Sequence, residues 1–193
     1  LSCITPKVIE AQRALFKGAD MVVIDSNLSQ KTIAAIIKVC KRYNRRVCTD
    51  PTSKILAPRL QGYLPNIYMI TPNIAEAEVL AQSAISNEDD AIAAARRLVN
   101  AGVEIALITL AENGVVYATA NSSGHVPALS TEVVDPTGAS DALTATVVFG
   151  LLNDIPIDES VRLGVSAAAL TLASSDTVYE KLSLDLLYDS LII

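Results

Sequence analysis

Residues 133–154 read VVDPTGASDALTATVVFGLLND, from Val133 to Asp154. The stretch sets Pro136, Gly138 and two acids, Asp135 and Asp141, in front of a long apolar run. Such a run predicts a helix opening near Gly138, and a helix N-terminus carries free N–H groups with roughly half a positive charge. The small residues Gly138, Ala139 and Ser140 would let an anion such as phosphate approach those donors closely. A plain helix start needs one capping side chain, whereas Asp135, Thr137, Ser140 and Asp141 all surround this glycine. Two readings follow: punctuation with Asp141 complementing the helix dipole, or an anion cradle with a carboxylate base beside it.

Outward from this stretch the chain alternates between short apolar runs and helical periods. Thr5-Pro6 opens a helix closed by Gly18, with Val8, Ile9, Ala11, Leu15 and Phe16 at helical spacing. DMVVIDSN (20–27) is a strand ending at Asp25 and Asn27, and Ser29–Tyr43 is a helix. RRVCTDP (45–51) and NIYMITPN (66–73) are further strands, and a helix begins from Asn73. Ser86–Ala101 is an Ala-rich helix before the strand EIALITL (104–110). AENG (111–114) reads as a turn, VVYATA (115–120) as a strand and NSSGH (121–125) as another turn, a small antiparallel addition. The remainder is helical, over Ala139–Asn153, Ile157–Ser174 and from Ser183 onward.

This order predicts one α/β domain over residues 1–193, a doubly wound, mostly parallel sheet with helices on both faces. The strands are continuous apolar runs, as buried parallel strands are. Ligands of such sheets sit beyond the carboxyl ends of the strands. The polar residues ending these strands are Asp25, Asn27, Asp50, Thr71, Asn73 and Thr109, followed by 135–141.

Composition narrows the function. Of 193 residues 51% are hydrophobic and only 4% aromatic, so the core rests on Ala, Val, Ile and Leu. A net charge of −6 offers no basic footprint for nucleic acid. No apolar stretch approaches the ~20 residues that span a bilayer, so no membrane partner and a cytoplasmic location are expected. Three cysteines without CxxC spacing are expected as reduced, small buried thiols. His125 is the only histidine, and GxSxG, GxxxxGK[ST] and GxGxxG are all absent. Phosphoryl transfer here would not be of the Walker type.

Three segments in order resemble the PfkB (ribokinase-like) carbohydrate kinases. DPTGASDA (135–142) resembles the second family signature, TPNIAEAEVL (71–80) its Asn-x-x-Glu motif, and ITLAENGVVY (108–117) its strand-loop-strand over the nucleotide. With TDPTSK (49–54) and residues 150–178, the likeness within the family is to pseudouridine kinases. The resemblance implies transfer of the γ-phosphate of MgATP to a hydroxyl of a nucleoside or sugar. It implies Asp141 as catalytic base, with the N–H groups of Gly138, Ala139 and Ser140 as anion hole. Asn73 and Glu76 would organise Mg²⁺ through its waters. Thr109, Ala111 and Gly114 would line the ATP site, with Val165 and Ala168 near the adenine. Asp135 and Thr137 would match the loop for a monovalent cation, K⁺ in some members.

Departures exist. Ser140 and Ala111 stand where the family has Gly, which raises the question of backbone conformation at both. The chain looks like the C-terminal portion of such a kinase, without the first strands, the β-lid and most acceptor-binding residues. A non-catalytic nucleotide-binding module is the alternative, and a homodimer is an assembly left open.

Overall fold

The computed structural model describes residues 3–191. Among the described residues eight α-helices and six strands follow one another, beginning with α1 (Pro6–Ala11), α2 (Arg13–Gly18), β1 (Met21–Asp25), α3 (Gln30–Tyr43) and β2 (Arg46–Asp50). A 3₁₀ helix (Ala57–Asn66) leads to β3 (Met69–Ile70), α4 (Ile74–Ala81), α5 (Glu88–Asn100) and β4 (Ile105–Thr109). A short 3₁₀ turn (Ala111–Asn113), β5 (Val115–Thr119) and β6 (Ser123–Val126) precede α6 (Ala139–Leu152), α7 (Ile157–Leu172) and α8 (Leu184–Asp189). The strands form one sheet in sequence order, β1 to β6, with helices on both sides.

The chain gathers into two compact units, one of Leu1–Thr109 with Val116–Ser123, the other of Leu110–Val115 with Gly124–Ile193. In the first, β1 to β4 pair parallel, in register from Met21↔Arg46 to Asp25↔Asp50, Cys48↔Met69 and Met69↔Ile105. These runs carry β-branched residues and no internal Pro, so the ladder is unbroken. Ile33, Leu60, Met69, Ile70, Leu98 and Leu107 are wholly buried. On α5 the buried face is Ala91, Ala94, Ala95 and Leu98, where small side chains let packed helices approach closely.

Helix starts agree with their capping residues. The side chains of Thr5, Ser29 and Asn73 accept from Val8, Thr32 and Glu76 N–H groups. Other expectations are corrected. The segment 6–18 is two helices, broken at Gln12 (φ −96°, ψ 17°). Only Ile9 is buried there, so little packing holds a continuous helix. The strand around 66–73 shrinks to two residues, although Tyr68 and Thr71 N–H groups still bond the Val47 and Thr49 carbonyls. NSSGH is no turn throughout, because Ser123–Val126 is strand β6, with His125 Nε2 2.6 Å from the Asn113 carbonyl oxygen. The 3₁₀ helix through Pro58 and Pro65 was not foreseen.

In the second unit, α6 and α7 meet through glycines. A Cβ on Gly150 would lie 2.3 Å from Ser160 Oγ, and one on Gly164 2.9 Å from Val147 Cγ2. Leu163, Ala167 and Leu187 close the other side of α7, with Ser166 Oγ donating to the Leu187 carbonyl at 3.0 Å. Cys40 and Cys48 are buried, and burial pushes their thiols up to about 11 and about 12 respectively. They are therefore poor nucleophiles, while Cys3 is exposed, contrary to the expectation of three buried thiols. No helix among the described residues is long and apolar enough to cross a membrane.

Gly150→Ala is expected to destabilise the protein by ~1–3 kcal/mol through overpacking against Ser160, despite the better helix propensity of Ala. Urea denaturation measures this, and adding Ser160→Gly should restore part of the loss. An unchanged midpoint for Gly150→Ala would mean that the helices part at no cost.

Candidate functional site

Parallel pairing brings the polar strand ends of the first unit to one edge. Asp25 and Asp50 are Cα partners at the close of β1 and β2, and Asn73 forms an isolated bridge with Thr109. Asn73 caps α4 reciprocally. Its Oδ1 accepts the Glu76 N–H at 3.1 Å, while Glu76 Oε2 accepts the Asn73 N–H at 3.0 Å and Oε1 accepts from Nδ2 at 2.8 Å. This is a complete capping box.

Glu76 is only 3% exposed. Burial pushes its carboxyl up, the Asn73 N–H opposes this, and the negative charge of Asp50 raises it further. Both carboxylate oxygens serve Asn73, so Glu76 suits an outer role, holding the waters of a hydrated cation. Mg²⁺ commonly keeps several waters and takes few carboxylates. Among the described residues no group of three or more His, Cys, Asp and Glu comes together as a self-sufficient metal site.

In the second unit the loop 111–114 is tight. The Leu110 N–H donates to the Gly114 carbonyl at 2.7 Å and the Gly114 N–H to the Ala111 carbonyl at 3.0 Å. Gly114 has φ +89°, and a Cβ there would lie 2.1 Å from the Val126 carbonyl oxygen, so only glycine fits. Ala111 is left-handed as well, with φ +52°. A left-handed conformation carries a steric cost for Ala.

The segment 134–141 is anchored to α7: the Val134 and Asp135 N–H groups both reach the Leu172 carbonyl, at 2.8 and 3.3 Å. Asp135 Oδ1 accepts the Thr137 N–H at 2.8 Å. The Thr137 hydroxyl, then its N–H, holds the Asp135 carboxyl below the usual range. Gly138 is the N-cap of α6 with φ +89°, and no side chain caps this helix. A Cβ on Gly138 would stand 2.0 Å from the Thr177 carbonyl oxygen. Ala139 and Ser140 are ordinary helical residues with negative φ, which answers the question about Ser140. Asp141 is exposed in the first turn of α6. Val165 is buried and Ala168 half-buried on α7.

The expected residues therefore fall into two groups, Asn73, Glu76 and Thr109 in the first unit, and 111–114, 135–141, Val165 and Ala168 in the second. Two features went unseen in the sequence: the Thr177 carbonyl over Gly138 and a left-handed Thr52 (φ +67°) after Asp50. A cavity of about 280 Å³ in the first unit is lined by Thr5, Asn27, Ser29, Lys31, Thr32 and Arg59 among others, and takes in only Asn27 from the expected strand ends.

Ala111→Gly is expected to raise stability by up to ~1 kcal/mol, because relief of the left-handed strain outweighs the added freedom of the unfolded chain. Thermal unfolding reads this, and a lowered midpoint would show that the Ala111 methyl makes a compensating contact.

The sequence matches the family model "pfkB family carbohydrate kinase" over residues 2–182. A guanosine-inosine kinase of Exiguobacterium acetylicum is 29% identical over 82% of this chain and 53% of its own length. A pseudouridine kinase of Escherichia coli is 27% identical over 95% of this chain and 58% of its own. The chain thus spans little more than half the length of these relatives. Among solved structures, a carbohydrate kinase from Agrobacterium tumefaciens superposes with a TM-score of 0.81 at 26% identity, covering 98% of this chain and 60% of that one. Signature, fold and coverage agree: the chain belongs to the pfkB family of carbohydrate kinases.

Proposed function

We propose that the chain is the nucleotide-handling part of a kinase that moves the γ-phosphoryl group of ATP to a hydroxyl of a nucleoside or sugar, with pseudouridine as the favoured acceptor. The observation that carries this reading is the start of α6: an uncapped helix N-terminus behind Gly138, with Asp141 exposed in its first turn. A cap side chain would have consumed donors that an anion can use, and none is there.

In this reading Asp141 accepts the proton of the acceptor hydroxyl as that oxygen bonds to the γ-phosphorus and the bond from phosphorus to the ADP oxygen breaks. The N–H groups at Gly138, Ala139 and Ser140 stabilise the charge that builds on the transferring oxygens. Asn73 and Glu76 orient the waters of Mg²⁺, whose chemistry is to neutralise the phosphate charge. Thr109, Ala111 and Gly114 line the ATP site, and Val165 and Ala168 lie by the adenine. Asp135 and Thr137 shape the loop for K⁺. The relatives act on different acceptors by name, guanosine or inosine in one and pseudouridine in the other. The acceptor is therefore the part of the reading that rests on resemblance alone.

A second reading is a nucleotide-binding module without turnover, in which the start of α6 holds the anion and no base acts. Calorimetric titration with MgATP, followed by ADP-release assays with pseudouridine and with ribose, separates the two. Binding with turnover supports the kinase, and binding alone supports the module. Where there is turnover, Asp141→Asn is expected to lower the rate by ~10²–10⁴ while ATP affinity stays close to the parent's. A loss of less than about tenfold would remove Asp141 from the role of base, since a positioned base is worth more.

A further inference from the structure

The one histidine of the chain, His125, lies on β6. Its Nε2 stands 2.6 Å from the carbonyl oxygen of Asn113. A carbonyl oxygen only accepts, so Nε2 carries the proton and the ring is the donor. The oxygen that receives it belongs to the 3₁₀ turn Ala111–Asn113, which ends on Gly114.

That turn is poorly equipped to hold its own shape. Three residues of 3₁₀ helix make hydrogen bonds of inferior geometry. Ala111 adds left-handed strain at φ +52°. Gly114, at φ +89°, brings no side chain to resist rotation of the peptide plane before it. The Asn113–Gly114 peptide is nevertheless fixed at both ends. Its N–H donates to the Ala111 carbonyl at 3.0 Å, from within the turn. Its oxygen accepts from His125, which is outside the turn. Val126, next on β6, sets its carbonyl oxygen where a Cβ on Gly114 would stand. Strand β6 is thus a wall behind the loop, and His125 is its hydrogen-bonding contact with the loop backbone.

A peptide plane has a donor edge and an acceptor edge, and rotation exchanges them. A loop that samples both arrangements binds a ligand more weakly, in proportion to the fraction of time spent in the competent one. Holding one arrangement in advance removes that loss.

We propose that His125 is a positioning residue for nucleotide binding: its Nε2–H clamps the Asn113 carbonyl and keeps the 111–114 loop in the shape that receives ATP. This rests on the kinase reading given above, in which the loop lines the ATP site, and it gives a role to a residue on the strand behind that loop.

Two amides separate reach from polarity. In His125→Gln the side-chain amide can come to where Nε2 stands, and in His125→Asn it stops short. His125→Phe keeps a ring and drops the donor. MgATP affinity of each variant is measured by calorimetry at a temperature where it is fully folded, with thermal unfolding alongside. Loss of one ordinary hydrogen bond corresponds to about three- to tenfold in an equilibrium constant. His125→Asn and His125→Phe are therefore expected to bind MgATP about three- to tenfold more weakly, with His125→Gln near the parent. Parental affinity in His125→Asn and His125→Phe overturns the proposal. So does a lowered unfolding midpoint with affinity unmoved, which marks a merely structural role. A His125→Gln variant as weak as His125→Asn overturns it as well, because the reaching N–H then does nothing. Should His125→Phe not fold, the Gln and Asn variants decide alone. A parent that binds MgATP no better than these variants do removes the clamp and leaves the α6 cradle standing. A parent that binds no MgATP at all removes the kinase reading, and the proposal with it.

Discussion

The constraint on which the rest depends is the parallel register of the first four strands. In a parallel ladder every strand leaves the sheet at the same edge, and each return crossover is spent on a helix. Register then decides which residues become neighbours. Asp25 opposes Asp50, and two strands further on Asn73 is bridged to Thr109. A slip of one residue between β1 and β2 would part Asp25 from Asp50. Burial of Ile24, Val47 and Met69 therefore does more than stabilise the unit. It fixes the spacing of the polar groups at the edge.

Much of this was legible because the signals are local. Continuous apolar runs marked the parallel strands, and Thr5, Ser29 and Asn73 marked helix starts that the structure reproduces. What was hidden depends on contacts distant in sequence. Gln12 interrupts a good helical period because nothing but Ile9 packs beneath it. Gly124 and His125 look like turn residues and are strand, since pairing outweighs propensity. The segment with Pro58 and Pro65 carries no periodic signal, yet a 3₁₀ helix accommodates both prolines. Thr52 carries no trace of its left-handed backbone, because one of the partners that impose it, Ser26 just past β1, is distant from it in sequence.

In the function proposed above, the structural and the chemical role of the Asn73–Glu76 pair do not compete. The capping box is complete, with all three hydrogen bonds in place. The same bonds hold a nearly buried carboxylate in place in the first turn of α4. A cap fixes the angle of its carboxylate more firmly than a free side chain would, and an outer-sphere cation ligand needs that property. Helix α4 thus starts at a place that is also charged.

Gly138 bears on how tolerance to substitution is read. The Thr177 carbonyl occupies the volume of any side chain at this position, and the backbone is left-handed there too. All nineteen alternatives therefore meet the same obstruction before any ligand arrives, and a deep mutational scan would find the position intolerant even in a protein selected only for abundance. Ser140, two residues on, is exposed and helical, without that obstruction. Selection for folding and selection for turnover should part company between these neighbours, so the informative quantity is the contrast between 138 and 140, not the depth of loss at either.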